Sequence, residues 1–263
     1  MLFRRLLPAA MLGCVLLSLA ACAFPWRADP TPEETRLYVA AAADLQFAFQ
    51  EIGALFEKEA GIRVIFTFGS SGQLAQQIEN GAPFDAFASA NTAYVDRLRE
   101  KGLIVPETQR LYAQGRIVLA VRRDSGLRLE RLEDLLQPAV RQVAIANPEH
   151  APYGLAAKEA LEARGLWEAV KPKLVYGENV RQALQFVQTG NAEAGIIALS
   201  VANAPEITYT LIDADLHAPL NQAMAVLRRT AHPQEAEAFL AFVNQPQGRA
   251  IMKRYGFLLP GEF

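Results

Sequence analysis

The chain has 263 residues, 51% of them hydrophobic, with two cysteines and a formal net charge of −2 from 26 basic and 28 acidic side chains. Those charges are scattered, which argues against a nucleic-acid surface and against a polybasic membrane patch, both of which need clustered Lys and Arg. Any binding of an anion must therefore be local.

At the N-terminus, Arg4 and Arg5 precede an apolar run from Leu6 to Leu19. The run is too short for an ordinary transmembrane helix and suits the apolar region of an export signal. It closes with Leu19-Ala20-Ala21-Cys22, which resembles a lipobox. Residues 1–22 are accordingly expected to be a lipoprotein signal peptide, cut between Ala21 and Cys22, with Cys22 carrying the lipid. The other cysteine, Cys14, falls inside the removed segment, so no disulfide is expected in the mature body. Residues 23–35 include Pro25, Pro30 and Pro32 with no apolar period, and read as a flexible tether of roughly 40 Å at about 3.3 Å per residue.

From Arg36 onward, short apolar runs alternate with helical periods. Strands are predicted at Leu37–Ala42, Val64–Phe68, Asp85–Ala88, Ile117–Arg122, Gln142–Ala146, Lys173–Tyr176, Ala194–Ile197 and Ala223–Leu227. After Asp44 the residues Leu45, Phe49, Ile52 and Phe56 recur at helical spacing, and after Glu178 so do Val180, Leu184 and Val187. Such alternation predicts an α/β protein with mostly parallel sheets. The strand-like segments Gly115–Val121 and Asn221–Leu227 flank about a hundred residues holding a β/α set of their own, which suggests one lobe inserted in another. The expected division is lobe 1 from 36–114 plus 221–263, lobe 2 from 115–220, and a hinge at the two crossovers.

Four places combine a strand end, small or polar residues and a helix start, the arrangement that turns backbone N–H groups toward an anion. Ala40-Ala41-Ala42-Ala43-Asp44 ends the first strand, with Asp44 expected as a helix N-cap. Phe68-Gly69-Ser70-Ser71-Gly72-Gln73 is a Ser/Gly turn in which Ser71 offers both O–H and N–H, and the lack of a following lysine separates it from a nucleotide-binding loop. The segment from Asn147 to Gly154 leads into a helix and exposes the Tyr153 N–H, while Glu178-Asn179-Val180 opens another helix at Val180.

At these points, and nearly throughout the body, the sequence resembles the periplasmic molybdate-binding proteins of ABC transporters. The likeness runs through AAADL, GSSGQLAQQIENGAPFDAFASA (69–90), NPEHAPYGLAAKEAL (147–161), ENVRQAL (178–184) and KRYGF (253–257). The resemblance implies a two-lobed type II periplasmic-binding-protein fold that holds molybdate or tungstate between its lobes by neutral donors, with no cofactor and no protein group ligating the metal. Carried over position by position, the ligand residues are Ala43, Asp44, Ser71, Tyr153 and Val180. The implied partners are the oxyanion, the membrane subunits of an ABC importer and the membrane itself through the lipid on Cys22. A monomer is expected, outside the cytoplasm.

Two departures from the family pattern stand out. Ala198 occupies a place where some members have tyrosine, and a carboxylate, Asp44, occupies one where some have a neutral side chain. An ionised carboxylate about 4 Å from a dianion is repelled by roughly 2 to 8 kcal/mol at dielectrics between 80 and 20. The expected resolution is that the Asp44 N–H meets the anion while its carboxylate turns aside to cap its helix; the alternatives are that it accepts a proton from a protonated oxyanion such as hydrogen phosphate, or is itself protonated by its surroundings.

Rival readings are weaker. His150, His217 and His232 are isolated, and no HExxH, CxxC or GxSxG pattern occurs, which leaves an enzyme without a visible nucleophile or metal site. His150 is expected to pack in its loop. Arg181, the one cation near the four segments that could clamp an organic acid, is expected to face solvent. Binding of sulfate, phosphate or an organic acid is the remaining alternative.

Overall fold

The computed structural model of the protein describes residues 35–263; the signal segment, Cys22 and the greater part of the tether lie outside the described residues. Ten strands form two five-stranded sheets. The first is built from β1 (Arg36–Ala42), β2 (Arg63–Gly69), β3 (Ala86–Ser89), β4 (Arg110–Gly115) and, far along the chain, β10 (Leu220–Val226), in the order β2-β1-β3-β10-β4. The second takes β5 (Ile117–Arg122), β6 (Val143–Ala146), β7 (Leu174–Gly177), β8 (Ala194–Ala198) and β9 (Ile207–Leu211), in the order β7-β6-β8-β5-β9. Each sheet, with its helices, makes one lobe of an α/β protein.

The sheets are mixed rather than mostly parallel. Four strand pairs are parallel and four antiparallel, and every antiparallel pair involves β5 or β10. Alternating β/α units produce parallel neighbours, but β5 and β10 are reached by crossover from the other sheet, with no α-helix in the connection to reverse the chain. β4 and β5 are separated only by Arg116, and β9 and β10 by residues 212–219.

Among the described residues nine α-helices cover the sheets: α1 (Gln46–Ala60), α2 (Ser71–Glu79), α3 (Thr92–Glu100), α4 (Pro152–Ala163), α5 (Trp167–Val170), α6 (Val180–Gln188), α7 (Leu199–Ala202), α8 (Pro233–Val243) and α9 (Pro246–Arg254). The face of α1 read from sequence is the buried one, through Phe49, Ile52 and Phe56. Phe49 and Phe56 meet Phe239 of α8 edge-on, at 5.9 and 5.4 Å between ring centres. Aromatic pairs of this kind add about 0.5–1.5 kcal/mol each beyond their burial, which fixes the C-terminal helices to the first lobe. In α6, Val180, Ala183, Leu184 and Val187 are buried against the second sheet. Among the described residues, no helix is long and apolar enough to cross a membrane.

Candidate functional site

Strand ends and helix starts from both lobes meet at one small cavity with about 200 Å³ of open space, part of it continuous with solvent. It is lined by Ala42, Ala43, Asp44, Gly69, Ser70, Ser71 and Ala90 from the first lobe and by Ala151, Pro152, Tyr153, Asn179 and Val180 from the second. All five residues singled out from sequence are in that set. Ser70 and Asn179, also in it, are the N-caps of α2 and α6: the Ser70 hydroxyl accepts from the Gln73 N–H at 3.4 Å, and the Asn179 carbonyl from Arg181 and Gln182 at 3.0 and 3.2 Å. Pro152 occupies the first turn of α4, where a missing N–H costs nothing.

Helix geometry leaves first-turn N–H groups without partners inside their own helix. Ser71 and Val180 begin α2 and α6, Tyr153 is the second residue of α4, and Ala43 begins a 3₁₀ turn, Ala43–Leu45, that leads into α1. Four such starts therefore point donors toward one small space. The Ser71 hydroxyl accepts from the Ala90 N–H at 2.9 Å, which holds its oxygen in place and leaves its own proton to donate. No Lys, Arg or His lines the cavity. The arrangement suits a small, compact anion held by neutral dipoles.

Asp44 departs from the expected geometry. It is not a helix cap; it sits inside the 3₁₀ turn, with Ala42 at the cap position. The carboxylate does turn aside, but across the lobes. Its Oδ2 accepts from the Tyr153 hydroxyl at 2.9 Å and from Gln222 Nε2 at 2.8 Å, while Gln222 Nε2 also donates to the Tyr153 oxygen at 3.1 Å. Its other oxygen, Oδ1, is buried with no partner among the described residues. Burial pushes the Asp44 carboxyl up from 3.8 to about 6 against the opposing pull of these two hydrogen bonds. Tyr153 and Tyr112 are pushed well above 10, first by burial and then by the Asp44 charge, so both stay protonated donors.

Gln222 and Tyr112 were not singled out in the sequence, although a fully buried glutamine in the apolar strand LNQAMAV is a visible anomaly. Gln222 stands where the β10 and β4 register shifts, and the hydroxyl of Tyr112 donates to the Ser89 carbonyl at 3.1 Å. Ala198 is fully buried at the end of β8 and outside the cavity lining; beside it Ser200 donates to the Asp44 carbonyl at 2.8 Å.

The lobes touch around the cavity. His150, expected as a surface or loop-packing residue, bridges the lobes, with its ring 2.8 Å from the Ser70 hydroxyl and its carbonyl accepting from the Gly72 N–H at 3.0 Å. Arg181 does not face solvent: it is half-buried, its Nε donates to Gln46 of the first lobe at 3.2 Å, and its guanidinium lies 4.8 Å over the Phe47 ring. An exposed position was expected because Arg181 follows Val180 on the helix, but the start of α1 covers that face.

The family model of bacterial extracellular solute-binding proteins matches residues 37–258. The molybdate-binding protein ModA of Rhodobacter capsulatus is 36% identical over 220 residues, 83% of this chain and 86% of its own. YvgL of Bacillus subtilis, provisionally named an ABC transporter substrate-binding lipoprotein, is 31% identical over 92% of this chain and 93% of its own. Among solved structures, the periplasmic molybdate-binding protein of Azotobacter vinelandii superposes with a TM-score of 0.80 at 31% identity, covering 85% of this chain and 99% of that one. With its fold, its whole described length and its level of identity in agreement, the chain belongs to the bacterial extracellular solute-binding protein family, in the company of its molybdate-binding members.

Proposed function

We propose that the protein captures molybdate or tungstate in the interlobe cavity and hands it to the membrane subunits of an ABC importer. The observation that carries this reading is the convergence of four helix starts, from two lobes, on a cavity of about 200 Å³ without a cationic side chain. Backbone N–H groups of Ala43, Asp44, Ser71, Tyr153 and Val180, with the Ser71 hydroxyl, supply the donors. In a dry site each bond to a charged oxygen contributes about 1.5–3 kcal/mol, so several of them hold a dianion without a counter-cation. Selection against sulfate then rests on size, since a smaller tetrahedron cannot reach every donor of a rigid cavity.

The same reading places the body outside the cytoplasm as a monomer, held to a membrane by a lipid on Cys22 through the tether of residues 23–35. It rests on the lipobox-like LAAC segment and on the likeness to YvgL. Cys22→Ser should release the protein from the membrane fraction.

Thermal melts of the body in molybdate, tungstate, sulfate, phosphate and an organic acid test the ligand. A solute at a hundred times its dissociation constant stabilises by about 2.7 kcal/mol. A rise with molybdate and tungstate alone is expected; a rise only with another solute would transfer the reading to that solute.

A further inference from the structure

Among the described residues the Asp44 carboxyl is the one acidic group in the cavity lining, and its hydrogen-bond partners are neutral. From α4 it meets the Tyr153 hydroxyl, from β10 the neutral Gln222 amide, and β4 adds Tyr112, whose hydroxyl is taken up by Ser89. α7 brings the Ser200 hydroxyl to its backbone. On α6, Arg181 donates from Nε to Gln46 and lies over the Phe47 ring, its Nη1 buried with no partner among the described residues, and β2 carries its single charge, Arg63, at the end away from the cavity. His150, the remaining titratable group near the rim, turns its ring to Ser70. Two donors already occupy Oδ2, whereas Oδ1 is buried and has no partner among the described residues.

From this geometry we propose that Asp44 is a carboxylic acid in the loaded protein, so that each dianion is captured together with one proton. The proton resides on the Oδ1 side of Asp44, where it cancels the repulsion between carboxylate and anion and turns an orphaned acceptor into a donor. No bond to the metal centre changes; the proton comes from solvent and returns there when the cavity opens. The proposal rests on the reading of the cavity as an oxyanion site. It adds to that reading a pH dependence, because capture is favoured in an acidic medium and release in an alkaline one. Burial raises the carboxyl from 3.8 to about 6, toward the neutral form; a dianion beside it shifts the balance further in the same direction.

The test is titration calorimetry with sodium molybdate on the intact body, between pH 6 and 8.5, in Pipes and in Tris, whose ionisation heats differ. The expected uptake is about half a proton per anion at pH 6 and close to one at pH 8, with affinity falling toward tenfold per pH unit above 6. Asp44→Asn should abolish the uptake and flatten the affinity profile, and His150→Gln should leave both as in the parent protein. Binding with a heat independent of buffer and an affinity flat from pH 6 to 8 overturns this proposal alone. Uptake that persists in Asp44→Asn, or vanishes in His150→Gln, overturns it too, and absence of binding at every pH overturns it together with the oxyanion reading. The parent protein's own pH profile decides the matter even if the Asp44 variant does not fold.

Discussion

Gly72 donates its N–H to the carbonyl of His150 at 3.0 Å, tying the first turn of α2 in one lobe to the loop that feeds α4 in the other. A methyl group on Gly72 would lie 2.7 Å from that carbonyl oxygen and 2.9 Å from the Tyr94 hydroxyl, closer than real contacts allow. Gly72→Ala therefore obstructs closure and also crowds Tyr94 within the first lobe. Calorimetry with molybdate should show at least about a tenfold loss of affinity, near 1.4 kcal/mol; parental affinity would mean that the lobes need not meet here.

Ser71→Ala removes a cavity hydroxyl and the acceptor of the Ala90 N–H. A charge-assisted hydrogen bond is worth about 1.5–3 kcal/mol, so affinity should fall by roughly ten- to a hundredfold. Ser70→Ala is the informative partner. It deletes the cap of α2 and the contact with His150, and should cost about 1 kcal/mol of stability, visible in a melt without ligand.

At Gly115 a Cβ would fall 2.1 Å from the Tyr153 hydroxyl oxygen and 3.0 Å from Gln222 Nε2. Gly115→Ala should destabilise the ligand-free protein by about 1–3 kcal/mol through overpacking. Adding Tyr153→Phe, which removes the clashing oxygen, should recover part of that loss in denaturant titration. No recovery would show that the strain lies elsewhere.

Asp44 also links stability to pH. Its carboxyl is raised from 3.8 to about 6 in the folded protein, so its contribution is complete at pH below 4 and is lost as pH climbs through 6. A shift of about two units corresponds to roughly 3 kcal/mol at most. Asp44→Asn has no such titration, and its oxygen can still accept from Tyr153 and Gln222. In urea titrations without anion, the parent protein should weaken between pH 4 and 8 relative to the variant; parallel curves would exclude an ionised, uncompensated Asp44.

Eight of the ten strands among the described residues are visible in the sequence as short apolar runs, most of them with residues buried on one or both faces. β4 and β9 are not, and both are sheet edges. Their runs, RLYAQG and ITYTL, expose Leu111, Tyr209 and Leu211 and lack a continuous apolar stretch. The α/β class followed from the alternation, yet the reversed direction of β5 and β10 did not, since pattern along a chain carries no sign of which neighbour a crossover strand will take. At the cavity, Ser71, Tyr153 and Val180 were legible through glycine, proline and asparagine beside strand ends. The partners of Asp44 were not, because Tyr153 and Gln222 stand 109 and 178 residues away from it and only the packed lobes unite them.

The placement of β10 between β3 and β4 has a consequence for how the chain acquires its shape. β5 to β9 occupy one uninterrupted stretch, 117–211, so the second sheet can assemble from a contiguous piece of polypeptide. The first sheet must wait for a strand that ends at Val226, with the whole second sheet already emitted in between. Long-range pairing of this kind is slow, because closing the loop costs entropy before any contact compensates. β3 and β4 thus remain unpaired edges late in folding, and this is where a chaperone or an aggregating neighbour would find its opening.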